Sequence, residues 1–386
     1  MSSGGKRILF VVAEAAFFVS HRLPLALAAR ELGYDVHVAT PEGRLLEVIQ
    51  QHGLAWHPIV VRRRTHLLRE AWAIPNLVAL YRRVRPDLVH HVALKAALYG
   101  TFAASFSKVP AVVNAITGLG YAFDDRRSKT ILGRTLGAAF GRLFRHPNMR
   151  VIFQNVDDQN TFVSRRWITP GAAVLIRGSG VDPSAFDPAT PKPAGAPVVV
   201  LASRLLASKG VGEFVGAARI LKRDGVDARF AIVGEPDPDN PESITATQLE
   251  HWRAEGSVEI WGRRNDMPAV LGQASLFVLP TYYREGVPKA LIEAGAAGIA
   301  AVTTDTPGCR DIVVDDETGV LIPPRDESAL AGAIAALLRD PERRAAMGRR
   351  ARERVISQFS QQQVIDQTIK VYVELLRDGA ALGRAG

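Results

Sequence analysis

PVVVLASRLLASKG, residues 197–210, decides how this chain is read. Pro197–Ala202 is a short apolar run, bounded by a proline and a serine, and reads as a strand buried on both faces. Ser203–Gly210 then turns polar and basic, which places Arg204 and Lys209 in the loop at that strand's carboxyl end. Gly210 lets the backbone approach a ligand before the next helix starts. An arginine fork with a lysine point charge suits a diphosphate. Two solvated surface cations would look the same.

Working back from residue 197, Asp182–Pro197 holds five prolines among small residues and reads as a linker. Before it, the apolar runs Arg7–Ala13, Asp35–Thr40, Leu88–His91, Ala111–Ala115, Val151–Gln154 and Val174–Ile176 alternate with amphipathic stretches, among them Ser20–Leu32 and Leu94–Phe106. Working forward, Phe230–Val233, Val258–Ile260, Leu276–Leu279 and Ala300–Thr303 read as strands. Helices near Val211–Arg223, Met267–Gln273, Lys289–Ala297 and Ser328–Leu338 separate them. Short buried strands separated by helices signal parallel sheets, which place ligand sites at strand carboxyl ends. The expectation is an α/β chain with two Rossmann-like domains, residues 1–182 and 197–360, joined by a linker over 183–196 and facing a cleft. The helix near Gln361–Leu376 has no strand to serve, so residues 361–386 are expected to return to the first domain.

Composition narrows the function classes. With 386 residues, 47% hydrophobic and 23% charged, the chain suits two soluble domains. No run of about 20 apolar residues predicts a membrane span, and the short run before Glu14 does not read as a signal peptide. The single cysteine, Cys309, has no disulfide partner in the chain and no obvious accompanying base, which fits a reducing compartment. Net charge is +9, and residues 1–190 hold 24 of the 48 Lys and Arg but 13 of the 39 Asp and Glu. The basic surface therefore belongs to the first half and attracts anionic partners such as phospholipid or a diphosphate. No zinc spacing or aromatic RNA signature supports nucleic acid.

Two further stretches join the loop 203–210. Tyr282–Glu293 follows the strand Leu276–Leu279, with Glu285 in the loop and Glu293 on the helix that Gly286 to Ala290 open. A helix start is an anion site, a loop carboxylate beside it can bind sugar hydroxyls, and a carboxylate further along can hold a ribose diol. A glutamate near the positive helix end is also common for its own sake. The third stretch, Pro307–Asp311, follows Ala300–Thr303 and offers Gly308 for another close backbone approach.

In the first half, Ser20 reads as a helix N-cap with His21 in the first turn, where His21 could touch a phosphate or serve the fold alone. His90 and His91 end a strand, with Lys95 one turn into the next helix; alternation sends the two histidines to opposite sides, so at most one faces the cleft and moves a proton. Ser128–Arg145 is a basic amphipathic stretch that would lie on a membrane or pack on the domain, and Arg62-Arg63-Arg64 adds charge.

These residues resemble the retaining GT-B glycosyltransferases of family 4, whose signature is two glutamates separated by seven residues, here Glu285 and Glu293. Tyr283-Arg284-Glu285-Gly286-Val287-Pro288 carries the resemblance most specifically, with Gly180-Val181-Asp182, Phe186 and Pro188 beside it. Phe17–Pro24 and Gly118-Leu119-Gly120-Tyr121 resemble a subgroup that adds sugars, N-acetylgalactosamine among them, to undecaprenyl-diphosphate intermediates of bacterial surface polysaccharides, lipopolysaccharide included. The resemblance implies that Arg204 and Lys209 hold the donor diphosphate, Glu285 contacts the donor sugar, Glu293 the ribose, and backbone near Arg263 the base, with Gly286, Val287, Lys289 and Ala290 around them. Ser20, His21, Lys95, Gly118 and Gly120 would border the acceptor. It further implies a UDP-linked N-acetylhexosamine donor, a lipid-diphosphate-linked saccharide acceptor, no metal or cofactor, and a cytoplasmic enzyme on the inner face of the cell membrane. Where many relatives have glycines after the first strand, this chain has Glu14–Val19, so contact of that loop with the donor does not carry over. A sugar-nucleotide epimerase or a non-catalytic sugar-nucleotide-binding subunit would share the donor site, whereas a nicotinamide oxidoreductase would need a glycine fingerprint that the first strand lacks.

Overall fold

The computed structural model describes residues 5–61, 72–119, 141, 144, 146–189, 194–238 and 240–382. The chain divides into two compact units, Met1–Ser179 with Gln361–Gly386, and Gly180–Ser360.

The first unit runs β1 (Arg7–Val12), α1 (Ala15–His21), α2 (Leu23–Glu31), β2 (Asp35–Thr40), α3 (Leu46–Gln51), β3 (Ala55–Pro58), α4 (Ala73–Val84), β4 (Leu88–Val92), α5 (Leu94–Phe106), β5 (Ala111–Ile116), β6 (Met149–Phe153), α6 (Val156–Ser164) and β7 (Ala173–Leu175). Its seven strands lie parallel in the order β3-β2-β1-β4-β5-β6-β7. Strand alternation sorts the core into two layers. Leu9, Val11, Val89, Val112 and Ile116 face one, and Ile8, Phe10, Val12, Leu88 and Val113 face the other.

The second unit begins with β8 (Val198–Ala202) and continues α7 (Val211–Arg223), β9 (Arg229–Val233), α8 (Ala246–Glu255), β10 (Glu259–Gly262), α9 (Met267–Gln273), β11 (Leu276–Leu279), α10 (Lys289–Ala296), β12 (Ala301–Thr304), α11 (Cys309–Ile312), β13 (Gly319–Ile322), α12 (Glu327–Arg339) and α13 (Pro341–Gln358). Its six parallel strands are ordered β10-β9-β8-β11-β12-β13. The order reverses between β8 and β11, so the loops after these two strands diverge at the topological switch point, where such sheets bind ligands. The last helix, α14 (Gln361–Leu382), returns to the first unit, where Val364, Ile365, Val371, Tyr372 and Leu375 share a core layer with Phe10, Leu25 and Ala26.

Three expectations need correction. The single helix over Ser20–Leu32 is two helices that meet at Arg22, whose φ of −130° and ψ of −16° are not helical. Pro24 explains the break, because proline fits the first turn of a helix but not its interior. Asp182–Pro197 is not featureless either. Pro183–Ala185 forms a 3-10 turn capped by Asp182, whose Oδ1 accepts from the Ser184 amide at 2.9 Å, and Phe186 is buried in the second unit's core. An apolar anchor and an Asp-capped turn outweigh the proline content. The edge strand β3 adds to the expected strands; its residues are half-buried or exposed and form no apolar run that would signal it.

Candidate functional site

The loop after β8 and the loop after β11 are stitched together. The Ser208 carbonyl accepts from the Tyr282 amide and from the Thr281 hydroxyl, each at 3.0 Å. Gly210, at φ 75°, lies so close to Pro280 that an added Cβ would sit 2.2 Å from the Pro280 oxygen, so only glycine fits. This closure presents Lys209 to Glu285. Lys209 Nζ pairs with Glu285 Oε1, and the two side chains are 10% and 16% exposed. Glu285 Oε1 also lies 3.2 Å from the Thr281 hydroxyl, and the Lys209 ammonium stands 5.8 Å from the centre of the Tyr283 ring.

A third loop completes the cluster. Gly308, at φ 84°, approaches Gly286 so tightly that a Cβ would meet its carbonyl oxygen at 1.8 Å. The β12 end braces the same region: Thr303 Oγ1 donates to the Leu279 carbonyl at 2.6 Å and Thr304 Oγ1 to the Thr281 carbonyl. On α10, Glu293 Oε1 lies 3.3 Å from Lys289 Nζ, and burial, opposed by Lys289, raises the Glu293 carboxyl above its ordinary value. Val287 and Gly286 are buried, while Lys289 and Ala290 on the first turn of α10 are half-buried. Lys209, Glu285, Gly286, Lys289 and Glu293 therefore lie beyond the carboxyl ends of adjacent strands and on the helix that follows, two cation–carboxylate pairs near the positive end of that helix.

Arg204 and Arg263 are engaged by other acids. Arg204 Nη1 bonds Asp237 Oδ2 at 2.9 Å, and Arg263 Nη1 bonds Glu235 Oε1 at 2.9 Å, both acids lying just past β9. Cys309 is fully buried and its thiol is pushed up to about 11 by burial and by Glu285, which disfavours the nucleophilic thiolate. No three His, Cys, Asp or Glu residues among the described ones converge as metal ligands.

The first unit corrects four of the expected roles. His90 and His91 do lie in opposite layers, but neither is exposed: they are 1% and 0% accessible. His91 bonds the Tyr81 hydroxyl at 2.8 Å and Asn114 Oδ1 at 2.7 Å. His90 Nδ1 lies 2.5 Å from the Tyr372 hydroxyl of α14. Both are enclosed in the core because β4 is central and covered on both faces, so proton transfer to a substrate is not their role in this arrangement. Ser20 is no N-cap. It sits inside α1, its hydroxyl 2.9 Å from the Ala16 carbonyl, because the helix starts earlier, after Glu14. His21 is in the last turn of α1, not the first of a helix, and stacks on Phe17 with ring centroids 4.1 Å apart. Lys95, half-buried on α5, stands 6.0 Å over Tyr99, and Gly118 adopts φ 116° just past β5. Gly120, Arg62-Arg63-Arg64 and most of Ser128–Arg145 lie outside the described residues.

Residues 184–354 match the family described as glycosyl transferases group 1, and residues 7–155 match the one described as glycosyl transferase 4-like. The chain belongs to the group 1 glycosyltransferases. This family is a retaining GT-B family, and the transferase shares its fold with solved structures. Anabaena HepE in complex with UDP superposes with a TM-score of 0.76 at 17% identity, covering 95% of this chain and 100% of HepE. The sucrose-phosphate synthase of Thermosynechococcus elongatus gives 0.76 at 20% identity, covering 97% and 100%. Among curated relatives, the transferase is 25% identical over 96% of its length to all of a Campylobacter jejuni N,N'-diacetylbacillosaminyl-diphospho-undecaprenol alpha-1,3-N-acetylgalactosaminyltransferase. It is 22% identical, over 89% of its length and 90% of the relative, to an Escherichia coli UDP-Gal:alpha-D-GlcNAc-diphosphoundecaprenol alpha-1,3-galactosyltransferase.

Sequence reading missed several residues that shape this candidate site. Thr281 ties Glu285 to the Lys209 loop, and its position directly before Tyr282 is the signal that could have found it. Asp237 and Glu235, which hold the two arginines, lie beyond a strand end like every other site residue, but nothing local marks them. Arg325, 4.3 Å over the ring of Tyr282, is the fourth.

Proposed function

We propose that this transferase moves an N-acetylhexosamine, with retention, from a UDP-linked donor to a saccharide carried on a lipid diphosphate. The observation that carries this reading is the shielded Lys209–Glu285 pair at the switch point of the second unit, with Glu293 one turn into the helix that follows. In the donor complex Lys209 turns from Glu285 to the diphosphate and neutralises the charge that builds as the sugar departs. Arg204 adds a second cation by exchanging Asp237 for phosphate, gaining charge-assisted bonds in place of the acid it leaves. Glu285, released, accepts from sugar hydroxyls, Glu293 accepts from the ribose diol, and backbone near Arg263 meets the base. Gly286, Val287 and Ala290 bring backbone to the ligand where a larger residue at Gly308 would collide.

The departing diphosphate takes the acceptor proton from the face it leaves. This keeps the anomeric configuration and needs no protein nucleophile, and the buried, high-pKa Cys309 is consistent with that. The lipid-diphosphate acceptor is supported by the names of the two full-length relatives, and the UDP donor by HepE in complex with UDP. The excess of Lys and Arg in residues 1–190 suits an anionic lipid surface and supports work at the inner face of the cell membrane.

A thermal-shift series with UDP, GDP, ADP and their sugar conjugates, without metal, tests the donor reading. UDP and UDP-N-acetylhexosamine should raise the melting temperature, Lys209→Ala should remove most of the shift, and Glu293→Ala should weaken nucleotide binding. No shift with any nucleotide at millimolar concentration would refute the assignment. Sedimentation with anionic and neutral liposomes at low salt tests the surface, and equal binding to both would refute it.

A further inference from the structure

A cavity of about 810 Å³ lies in the first unit, at the amino ends of β6 and β7. Met149 and Arg150 open β6, and Ala172 directly precedes β7; all three line the cavity. The helix α6 runs back from the carboxyl end of β6 and brings Val163, Arg166 and Trp167 to the same place. Parallel sheets bind their substrates at the opposite, carboxyl ends, where Lys95 and Gly118 stand in this unit. The cavity is therefore a second site, and its size is that of a small-molecule site.

The lining selects the chemistry of its occupant. Phe144, Met149, Val163, Trp167 and Ile168 make an apolar wall. Its charged side chains are Arg150 and Arg166, with no acid beside them. Neither forms an ion pair among the described residues; Arg150 Nη1 donates to the Met149 carbonyl at 3.2 Å, and Arg166 is exposed. A saccharide would need several hydrogen-bonding side chains. Both ring nitrogens of His146 are taken, Nδ1 3.1 Å from the Asn148 carbonyl and Nε2 3.0 Å from the Val109 carbonyl, which leaves Thr169 as the uncharged polar side chain. A nucleobase would need an open aromatic face. Trp167 is 6% exposed, with the Arg165 guanidinium 5.2 Å from its ring centre and the Phe162 ring edge-on at 5.0 Å. An aliphatic chain with an anionic head suits what remains, the chain on the apolar wall and the anion on the arginines.

The surroundings point to a membrane lipid. His146 ties the cavity to the loop before β5 through the Val109 carbonyl, and the helix that feeds this loop, α5, ends in Phe106, 60% exposed, with Lys108 two residues on. An exposed aromatic side chain among cations suits the headgroup region of an anionic bilayer.

We propose that this cavity takes an acyl chain of an anionic phospholipid, with the headgroup phosphate on Arg150 and Arg166. The seat rests on the membrane part of the proposed function for the source of its lipid, and not on the donor reading of Lys209 and Glu285.

Calorimetric titration of dihexanoyl phosphatidylglycerol, kept below its micelle concentration, into the full-length protein tests the seat. Binding should be saturable and about tenfold tighter than that of dihexanoyl phosphatidylcholine, and Arg150→Glu with Arg166→Glu should erase that preference. Gly171 lines the cavity with no atom within 4 Å of its Cβ position, so a larger side chain has room there. Gly171→Trp should weaken both lipids about tenfold with unchanged circular dichroism. Gly141→Leu, whose Cβ would stand 3.7 Å from Trp167 Cδ1, serves if Gly171→Trp does not fold. Equal affinity for the two lipids would overturn the seat, as would unchanged binding in a folded variant with the cavity filled. Sedimentation with anionic liposomes separates the seat from the surface. Wild-type protein that sediments but shows no saturable binding of the soluble lipid overturns the seat and leaves the surface reading standing. Saturable, charge-selective binding without sedimentation upholds the seat and refutes the surface reading.

Discussion

Lys209 Nζ and Glu285 Oε1 form an ion pair across two loops, one after β8 and one after β11, with each side chain more than four-fifths buried. A pair this shielded gains little net stability, but breaking it by removing one partner leaves the other charge poorly solvated. Lys209→Ala should therefore lower both melting temperature and activity. If Lys209 serves the departing diphosphate as proposed, its loss corresponds to about 10²–10³ in kcat, or about 3–4 kcal/mol. Glu285→Gln keeps hydrogen bonding and frees Lys209, so its nucleotide affinity should hold or rise while turnover falls. Steady-state kinetics with parallel nucleotide titrations check the split. Equal losses of nucleotide affinity in both variants would count against the partner exchange.

Thr281 holds this pair in place. Its hydroxyl donates to the Ser208 carbonyl at 3.0 Å and lies 3.2 Å from Glu285 Oε1, and the residue is fully buried. Thr281→Val preserves shape and deletes both contacts, leaving a buried carbonyl less well met at a cost of about 1–3 kcal/mol. The expected result is roughly a tenfold fall in kcat/KM, about 1.4 kcal/mol, with most of the activity restored in Thr281→Ser. A Thr281→Ser variant no better than Thr281→Val would mean that the methyl group, not the hydroxyl, matters here.

Two glycine substitutions should have opposite signs. Gly308→Ala forces a Cβ to within 1.8 Å of the Gly286 carbonyl at a φ of 84°, and the atoms it meets are backbone, so the loop must move. Strain of this kind costs about 1–3 kcal/mol and displaces Gly286 from the site. Gly332→Ala, on an exposed face of α12 with open space around it, should stabilise by about 0.5–1 kcal/mol. Denaturant unfolding of the two variants measures both, and destabilisation of similar size in each would contradict the steric argument.

The second unit is legible in the sequence for a physical reason. Fully covered parallel strands have to be continuous apolar runs, and Val198–Ala202 and Leu276–Leu279 are such runs, so the amino-acid pattern alone places the loops that follow them. Glu285 and Glu293 stand out because loop and helix chemistry there is local. Partnerships between sequence-distant groups are not legible in this way. The hydroxyl that meets His90 lies 282 residues away on α14, and Arg204 is held by Asp237, 33 residues on. Strand alternation correctly separates His90 from His91, but it says nothing about whether either face of β4 is open, and both are covered.

The burial of His91 sets the direction of a pH effect. Its ring uses both nitrogens as a neutral imidazole: Nδ1–H donates to Asn114 Oδ1, and Nε2 accepts from the Tyr81 O–H. Gly100 on α5 closes the space behind it, since a Cβ there would fall 2.2 Å from Nε2. A second ring proton would have to sit on Nε2, against the Tyr81 hydroxyl proton. Burial, reinforced by His146 and opposed by the Asn114 bond, lowers the pKa from 6.5 to about 4. The folded state thus binds fewer protons than the unfolded state between those values, and stability falls as pH drops through that window. Above about pH 6.5 the contribution is intact; between pH 7 and pH 5 this histidine should remove about 2 kcal/mol, with most of the remainder gone by pH 4. Urea midpoints of the first unit's transition at the two pH values should differ accordingly, and His91→Gln, which cannot titrate, should show a correspondingly smaller difference although it is less stable at pH 7. A pH dependence unchanged in His91→Gln would assign the acid sensitivity to other groups, His90 first among them.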